Sequence, residues 1–535
     1  MDTNKRKAYW TQAPMFAISV FLLVFFLFAD VQHIVCRIPD DSSHFFKIAE
    51  NVASGSGSTF DGINRTNGYQ ALWLCLLIPV SLIFHLRPED MVRVYLVYQL
   101  VPLIVAYVLL YRLHSLFFST IVTLASAVFF IFLTIFQSAT GMDSAILVLM
   151  MVLLFFFGWW GKVFVQSGWL SHFVFGVLLG LTMLARLDAV FLGASVCAFV
   201  LLQALRSPDE RRIAVKRLAL VLAGSVLVVA PYLLYNLRIF GDMMPISGIL
   251  KSSFPYVSFS LRKLEKIGSV HAAFVVVAIA YLIWSAAMWH KYVAGTMEAR
   301  FFRGAMAVLA LSIILHFVHT MLFIKWGIFR WQFISYALFA SLVISEPLSA
   351  PLLRWKKRGL RLATGAVLVL LFLSGMSMVV KRTFLAPIES SWHVASYRAA
   401  MWARDNVNAN YRLAMKDCGH FGYFSQRSVV NLDGAVNNTA YQDVIDSGRL
   451  NEYLRKCNVC YIVQHGIVPS DTQLLSEVSG GRGSFADGEC QRIALRYKGM
   501  RNESYSEPVV LRREDEVYRK RFSIGDGPHT LVIWR

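Results

Sequence analysis

Two adjacent carboxylates, Asp40 and Asp41, follow the first long apolar run, in the stretch RIPDDSSHFFKIAENVASGSGSTFDGINRTNGYQALW. Carboxylates beside a low-dielectric interface cost free energy to keep ionised. A doublet there points to base catalysis or cation binding, the plain alternative being the solvated start of a loop. His44 follows as a substrate-binding candidate, and Phe45, Phe46, Ile48, Ala49 and Val52 recur on one face of a helix of about three turns. This predicts a short amphipathic helix at the membrane surface, ended by the turn Gly55-Ser56-Gly57. TNGYQALW then leads Asn67, Tyr69 and Gln70 into the next apolar run. Side-chain amides at such a re-entry point suit hydrogen bonding to a sugar or phosphate, and helix capping explains Asn67 equally well. Trp73 fits an interfacial anchor.

Further polar groups punctuate the apolar sequence. Asp143, in TGMDSAIL, opens a helical run whose dipole an acid complements. Arg238 and Lys251 fall in PYLLYNLRIFGDMMPISGILKSSF, and Lys325, Arg330 and Trp331 in KWGIFRWQF. Cations there serve either a phosphate or, by snorkelling, lipid headgroups. Asp417, His420 and Asp433 lie in DCGHFGYFSQRSVVNLDGAVNN, read as strand, glycine-rich turn and strand, where they either contact an acceptor glycan or form the turn. Cys457 and Cys460 make a single CxxC in an apparent strand, 458 to 464, without the second pair of a zinc ribbon, so packing is the better reading.

The elements that must position these groups are membrane helices. Of 535 residues 56% are hydrophobic and 16% charged, with mean hydropathy +0.53, outside the range of soluble domains. A helix needs about 20 mostly apolar residues to cross a bilayer. Candidate runs fall at 13 to 35, 69 to 86, 94 to 111, 116 to 136, 144 to 160, 169 to 205 (two spans), 218 to 235, 271 to 289, 304 to 324, 331 to 348 and 362 to 380. The net charge of +19 is concentrated in loops between them, at 206 to 217 and 354 to 361, as the positive-inside rule expects of cytoplasmic loops and unlike a nucleic-acid-binding face. The basic start, Met1 to Lys7, reads as the cytoplasmic beginning of an uncleaved first span. Parity then sets residues 381–535 outside the cytoplasm and favours 11 spans, with 13 as the alternative. The expected organisation is a polytopic α-helical membrane domain, 1–380, with its first outer loop at 36–70, followed by an extracytoplasmic soluble α/β domain, 381–535.

The acid after span one, the amphipathic helix and TNGYQ.LW resemble the GT-C class of membrane glycosyltransferases, which includes protein O-mannosyltransferase-like enzymes, aminoarabinose transferases and arabinofuranosyltransferases. Many of these read Asp-Asp or Asp-Glu here, with an aromatic residue four and an alanine eight positions after the catalytic acid. Phe45 and Ala49 stand at those offsets from Asp41, so the resemblance makes Asp41 the base and Asp40 the second choice. Ala71 replaces a frequent proline. TGMD resembles a Gly-Met-Glu-Thr motif whose acid lines the donor-phosphate or metal site, with Asp143 one methylene shorter. The stretch from 231 to 254 resembles an outer-loop motif, implicating Arg238 and Lys251 at the phosphate, and Arg330 sits where relatives carry an aromatic-rich sequence. The resemblance implies an inverting transfer of one sugar from a polyprenyl-phosphate donor to a glycan, lipid or protein acceptor at the outer face of the cytoplasmic membrane, with a divalent cation (Mg or Mn) as a conceivable cofactor. The rivals are a lipid-linked-glycan flippase, for which the chain lacks a convincing internal repeat, and a non-catalytic glycan-assembly partner.

Overall fold

A computed structural model describes residues 13–354, except 164–167, 207–210 and 289–294, and residues 388–535, except 469–482, 485–491, 498–504 and 525–526, with a few positions between 373 and 381. The basic start of the chain, most of the 354–361 loop and most of the 362–380 run lie outside the described residues, and the parity argument leans on all three.

Among the described residues four helices are long and apolar enough to cross a membrane: Pro88–Ser115, Arg211–Phe240, Ser269–Ala287 and Met297–Phe323. Seven shorter apolar helices accompany them, among them Ala71–Ile83, Ser144–Trp160 and Trp169–Ala185. The chain is a multi-pass membrane protein. The long run at 169 to 205 is divided as expected, by Arg186 and the single turn Leu187–Ala189, before the helix Val190–Arg206. Small residues let helices approach closely: a Cβ on Gly176 would stand 2.2 Å from the Val221 carbonyl oxygen, so Trp169–Ala185 and Arg211–Phe240 pack backbone to backbone.

The C-terminal part is a mixed α/β unit. Helix Trp392–Asn406 precedes β1 (Arg412–Met415), helix Gly419–Phe424, β2 (Val429–Asn431), two short helices, β3 (Val459–Val468), β4 (Gly483–Ser484), β5 (Arg492–Leu495), β6 (Val509–Arg512), β7 (Glu516–Ile524) and β8 (Gly527–Trp534). Among the described residues one sheet runs β2-β1-β3-β8-β7 with β4 on β3, and β5 pairs with β6 separately. β1 is parallel to β2 and β3, whereas β8 is antiparallel to β3 and β7. The strand, turn and strand expected at 417 to 438 is corrected by this geometry. Parallel neighbours need a crossover, and GHFGYF supplies it as a six-residue helix. Cys460 does lie in β3, and Cys457 just ahead of it is buried. Both are free thiols.

The predicted amphipathic helix spans Asp40–Ala53, but it is not left on an open surface. Its apolar residues Phe45, Phe46, Ile48 and Ala49 are buried, and so are Asp40, Ser42, Ser43 and His44 on its other sides. Ala71–Ile83 covers one side and Gly419–Phe424 another. Gly419 is required at the second contact, because a Cβ there would lie 2.1 Å from the Asp40 carbonyl oxygen. Arg404 joins Glu89 at 2.8 Å and Arg398 donates to Gln32 at 2.8 Å, further ties between the two parts of the chain.

Candidate active site

The three stretches that carry the sequence resemblance converge. Ser42 Oγ donates to the Thr140 carbonyl at 2.7 Å, and Trp73 Nε1 donates to the Gly141 carbonyl at 3.0 Å. Trp73 is fully buried, so it is a tie between motifs rather than the interfacial anchor expected of it. Gln99, buried inside Pro88–Ser115, accepts from Gly141 N–H at 2.7 Å and donates to the Met142 carbonyl at 2.5 Å. This amide clamp holds the TGMD turn, where Gly141 adopts φ +81° against the Phe46 ring and Ser42. Gln70 accepts from Leu187 N–H at 3.3 Å, and Asn67 Oδ1 accepts from Ile246 N–H at 3.0 Å, leaving its buried Nδ2 without a partner. Asn67 thus bonds the start of the Ile246–Lys251 helix, while the helix it was expected to cap begins after Gln70 with no side-chain cap.

The two acids of the doublet have different surroundings. Asp40 is 6% exposed, and its two oxygens accept from the backbone N–H groups of Gly419 and His420, both at 2.7 Å. Burial pushes its carboxyl well above the usual range, with those two bonds pulling the other way. The Asp41 side chain keeps 40% of its exposure and lines a cavity of about 1130 Å³. His44 Nδ1 stands 3.8 Å from Asp41 Oδ1, beyond hydrogen-bond reach, and His44 Nε2 is buried without a partner. Burial lowers the His44 pKa against the opposing charges of Asp41, Asp433 and Asp417.

Besides Asp41, the cavity is lined by Asp40, by Phe132, Gln137 and Thr140, by residues 265 to 271 including Lys266 and His271, by Arg330 and Trp331, and by Trp392, His393 and Asp417 of the C-terminal part. It is apolar over much of its wall, with cations and carboxylates at a few points, the usual make-up of a ligand site. Asp417 donates its N–H to Asp433 Oδ2 at 2.8 Å and accepts from His465 Nε2 at 3.1 Å. Burial alone would raise its pKa. The His465 hydrogen bond and the charges of Lys416, His465 and His44 outweigh that and lower it to about 2.

A second polar cluster lies among the apolar helices. Asp143, 1% exposed, meets Arg186 Nη1 at 2.9 Å, and Arg186 Nη2 meets Asp188 Oδ2 at 2.8 Å. Asp143 makes no side-chain cap to its helix, so the pairing takes the place of the capping role. Lys251 lies close enough for its charge to act on both His44 and Asp143. Arg238, by contrast, is exposed at the end of Arg211–Phe240, and neither Arg238, Lys251, His44, Asn67, Gln70 nor Asp143 lines the cavity. Sequence reasoning passed over Gln99, Arg186, Asp188 and Lys266. An Arg and an Asp interrupting the 169 to 205 run were the available signal for two of them.

Among the described residues no group of three or more His, Cys, Asp or Glu side chains is placed to hold a metal ion.

A family model, "Domain of unknown function (DUF8728)", matches residues 388–508. No curated protein matches the chain. Among solved structures, the Archaeoglobus fulgidus oligosaccharyltransferase tethered with an acceptor peptide is 14% identical, with TM-score 0.47, covering 85% of this chain and 69% of its own. ArnT from Cupriavidus metallidurans, bound to undecaprenyl phosphate, is 9% identical, with TM-score 0.50, covering 84% of this chain and 92% of its own. The fold is that of the GT-C class. The cavity lies where the segment 36–70, the later helices and the C-terminal part meet, and the stretches holding Asp41, TNGYQ and TGMD form one connected structure.

Proposed function

We propose that the chain is an integral membrane glycosyltransferase that moves a monosaccharide from a polyprenyl-phosphate donor to an acceptor on the outer side of the cytoplasmic membrane. Asp41 is its general base. The observation that carries this reading is the division of labour in the doublet: both acids border the cavity that also holds Lys266 and Arg330, but both oxygens of the buried Asp40 are taken by backbone N–H groups, while the Asp41 carboxylate is 40% exposed to it. ArnT, whose fold this chain shares, is a structure bound to undecaprenyl phosphate, which supports the donor class.

The acceptor O–H breaks and its proton passes to a carboxylate oxygen of Asp41. The acceptor oxygen bonds to the anomeric carbon as the bond from that carbon to the phosphate oxygen breaks, and the electron pair leaves with the phosphate. Attack from the face opposite the leaving group inverts the anomeric centre. General-base help of this kind contributes about 10² to 10⁴-fold. Lys266 and Arg330 are positioned at the cavity to stabilise the charge that develops on the phosphate.

Asp41→Asn keeps the side chain's shape but cannot take the proton, so transfer from a synthetic polyprenyl-phosphate sugar should fall by about 10² to 10⁴-fold with donor binding retained. Wild-type turnover in this variant, with Asp40→Asn inactive, would move the base to Asp40, and normal turnover in both removes the main support for the reading. Alkaline phosphatase fused after Arg535 should be active if the C-terminal part is extracytoplasmic, whereas a bright cytoplasmic fluorescent-protein fusion there would overturn that placement.

A further inference from the structure

An inverting transfer uses one carboxylate as base and needs no second acid, since the phosphate leaves as an anion. Besides Asp41, Asp40 and Glu265, the cavity nevertheless presents a carboxylate from the C-terminal part, Asp417. Its position is strongly determined. The backbone is left-handed at φ +49°, its N–H is held by Asp433, and His465 fixes Oδ2, while Oδ1 has no hydrogen bond among the described residues. The side chain keeps 37% of its exposure, so this free oxygen edge is accessible. Trp392 stands beside it, with its ring centroid 4.2 Å from that of His393 and 5.1 Å from that of His465. His393 also lines the cavity, and its Nδ1 is buried without a partner. Burial lowers the His393 pKa to about 4, so it is a neutral imidazole at pH 7, able to donate or accept.

An aromatic ring flanked by an ionised carboxylate and a neutral imidazole is a mixed surface. An apolar acceptor would leave the carboxylate desolvated and unpaired. A molecule with one C–H-rich face and a rim of hydroxyls satisfies all three groups. We propose that Trp392, His393 and Asp417 form the acceptor subsite and that the acceptor is a carbohydrate, its ring packed on Trp392 and its hydroxyls donating to Asp417. This rests on the glycosyltransferase reading and names the acceptor class within it. All three residues fall inside the region matched by the domain of unknown function, to which the subsite gives a role.

The test is a binding measurement on the full chain in nanodiscs, with no donor present, so that it stands apart from any transfer assay. Saturation-transfer-difference NMR is run with a panel of hexose and pentose methyl glycosides and disaccharides, and separately with a mixture of short peptides. At least one saccharide should bind. Asp417→Asn and Trp392→Ala should each weaken it roughly tenfold or more, and Trp392→Phe should retain most of the affinity. Trp392→Leu, which keeps bulk and loses the ring, stands in if the alanine variant does not fold. No saccharide binding, or binding unchanged in both the Asp417 and Trp392 variants, overturns the proposal. Peptides binding in place of saccharides, with the same dependence on these residues, would also overturn it and assign the subsite to a protein acceptor. If saccharide binding behaves as expected while Asp41→Asn retains full transfer, the base assignment fails and the subsite stands.

Discussion

The Asp143–Arg186–Asp188 cluster and the seam holding Asp41, His44, Asp417 and His465 use the same few residue types for different ends. In the first, charges among apolar helices answer one another: Arg186 reaches both carboxylates within 2.9 Å. In the second, which lies where the segment 36–70 meets the C-terminal part, the pairing is incomplete. Asp41 stands 3.8 Å from an imidazole, Asp417 has an unbonded oxygen, and His44 and His393 each have an unpartnered ring nitrogen. Buried charges are tolerable when paired, and groups left open to a cavity are free for substrate. Residue type does not separate these cases. Completeness of pairing does.

The sharpest way to break the comparison is to remove the cation from the closed cluster. Arg186→Leu leaves the buried Asp143 and the partly exposed Asp188 without their shared partner, and stranding a buried charge in this way typically costs about 3 to 5 kcal/mol. Thermal unfolding of the detergent-solubilised variant should show a large loss, far exceeding that of Asp41→Asn, which sits at the open seam. Similar melting temperatures for the two variants would mean that the cluster is not closed in the way described. Lys251 stands between the two regions and is the next probe. If it serves the donor phosphate, Lys251→Ala loses a charge-assisted contact worth roughly 1.5 to 3 kcal/mol, read as an apparent donor KM raised about tenfold or more. The exposed Arg238→Ala should change KM less, and unchanged donor kinetics in both would assign these cations to headgroups.

Much of the layout was legible because hydrophobicity is read over long windows. Apolar runs became helices near their expected bounds, and the strand expected at 458 to 464 overlaps β3, which runs from Val459 to Val468. Tertiary contacts were less legible. Trp73 has the composition of an interfacial anchor, yet its indole N–H is taken by Gly141 across the bundle. DCGHFGYF has the glycines of a turn, but the parallel pairing of β1 with β2, a long-range fact, makes it a crossover helix, and one of those glycines is needed for close approach to Asp40. Asp40 and Asp41 could be ranked only by offsets borrowed from a resemblance, since what separates them is a pair of backbone N–H groups almost 380 residues away. Arg186 was passed over because a hydropathy window averages one charge away.

The smallest effect is the most specific test of the seam, because Asp40 and Asp417 should respond to pH in opposite senses. Both start from an ordinary value of 3.8. Asp40, buried against neutral amides, has a raised folded pKa, so the folded state holds its proton more firmly than the unfolded chain. Its contribution to stability therefore declines as pH rises from about 3.8 until the folded carboxyl has also ionised. Asp417, held at about 2 by His465 and Lys416 against its burial, behaves the other way. Its stabilisation is present above about 3.8 and is lost as pH falls towards 2, and at its exposure this should amount to no more than about 1 kcal/mol. Melting temperature measured against pH should then show Asp417→Asn flattening the profile below 3.8, and Asp40→Asn removing a decline above it. Should both variants alter the same limb, the two carboxylates share one environment and the contrast between a committed and an open acid across this seam is wrong.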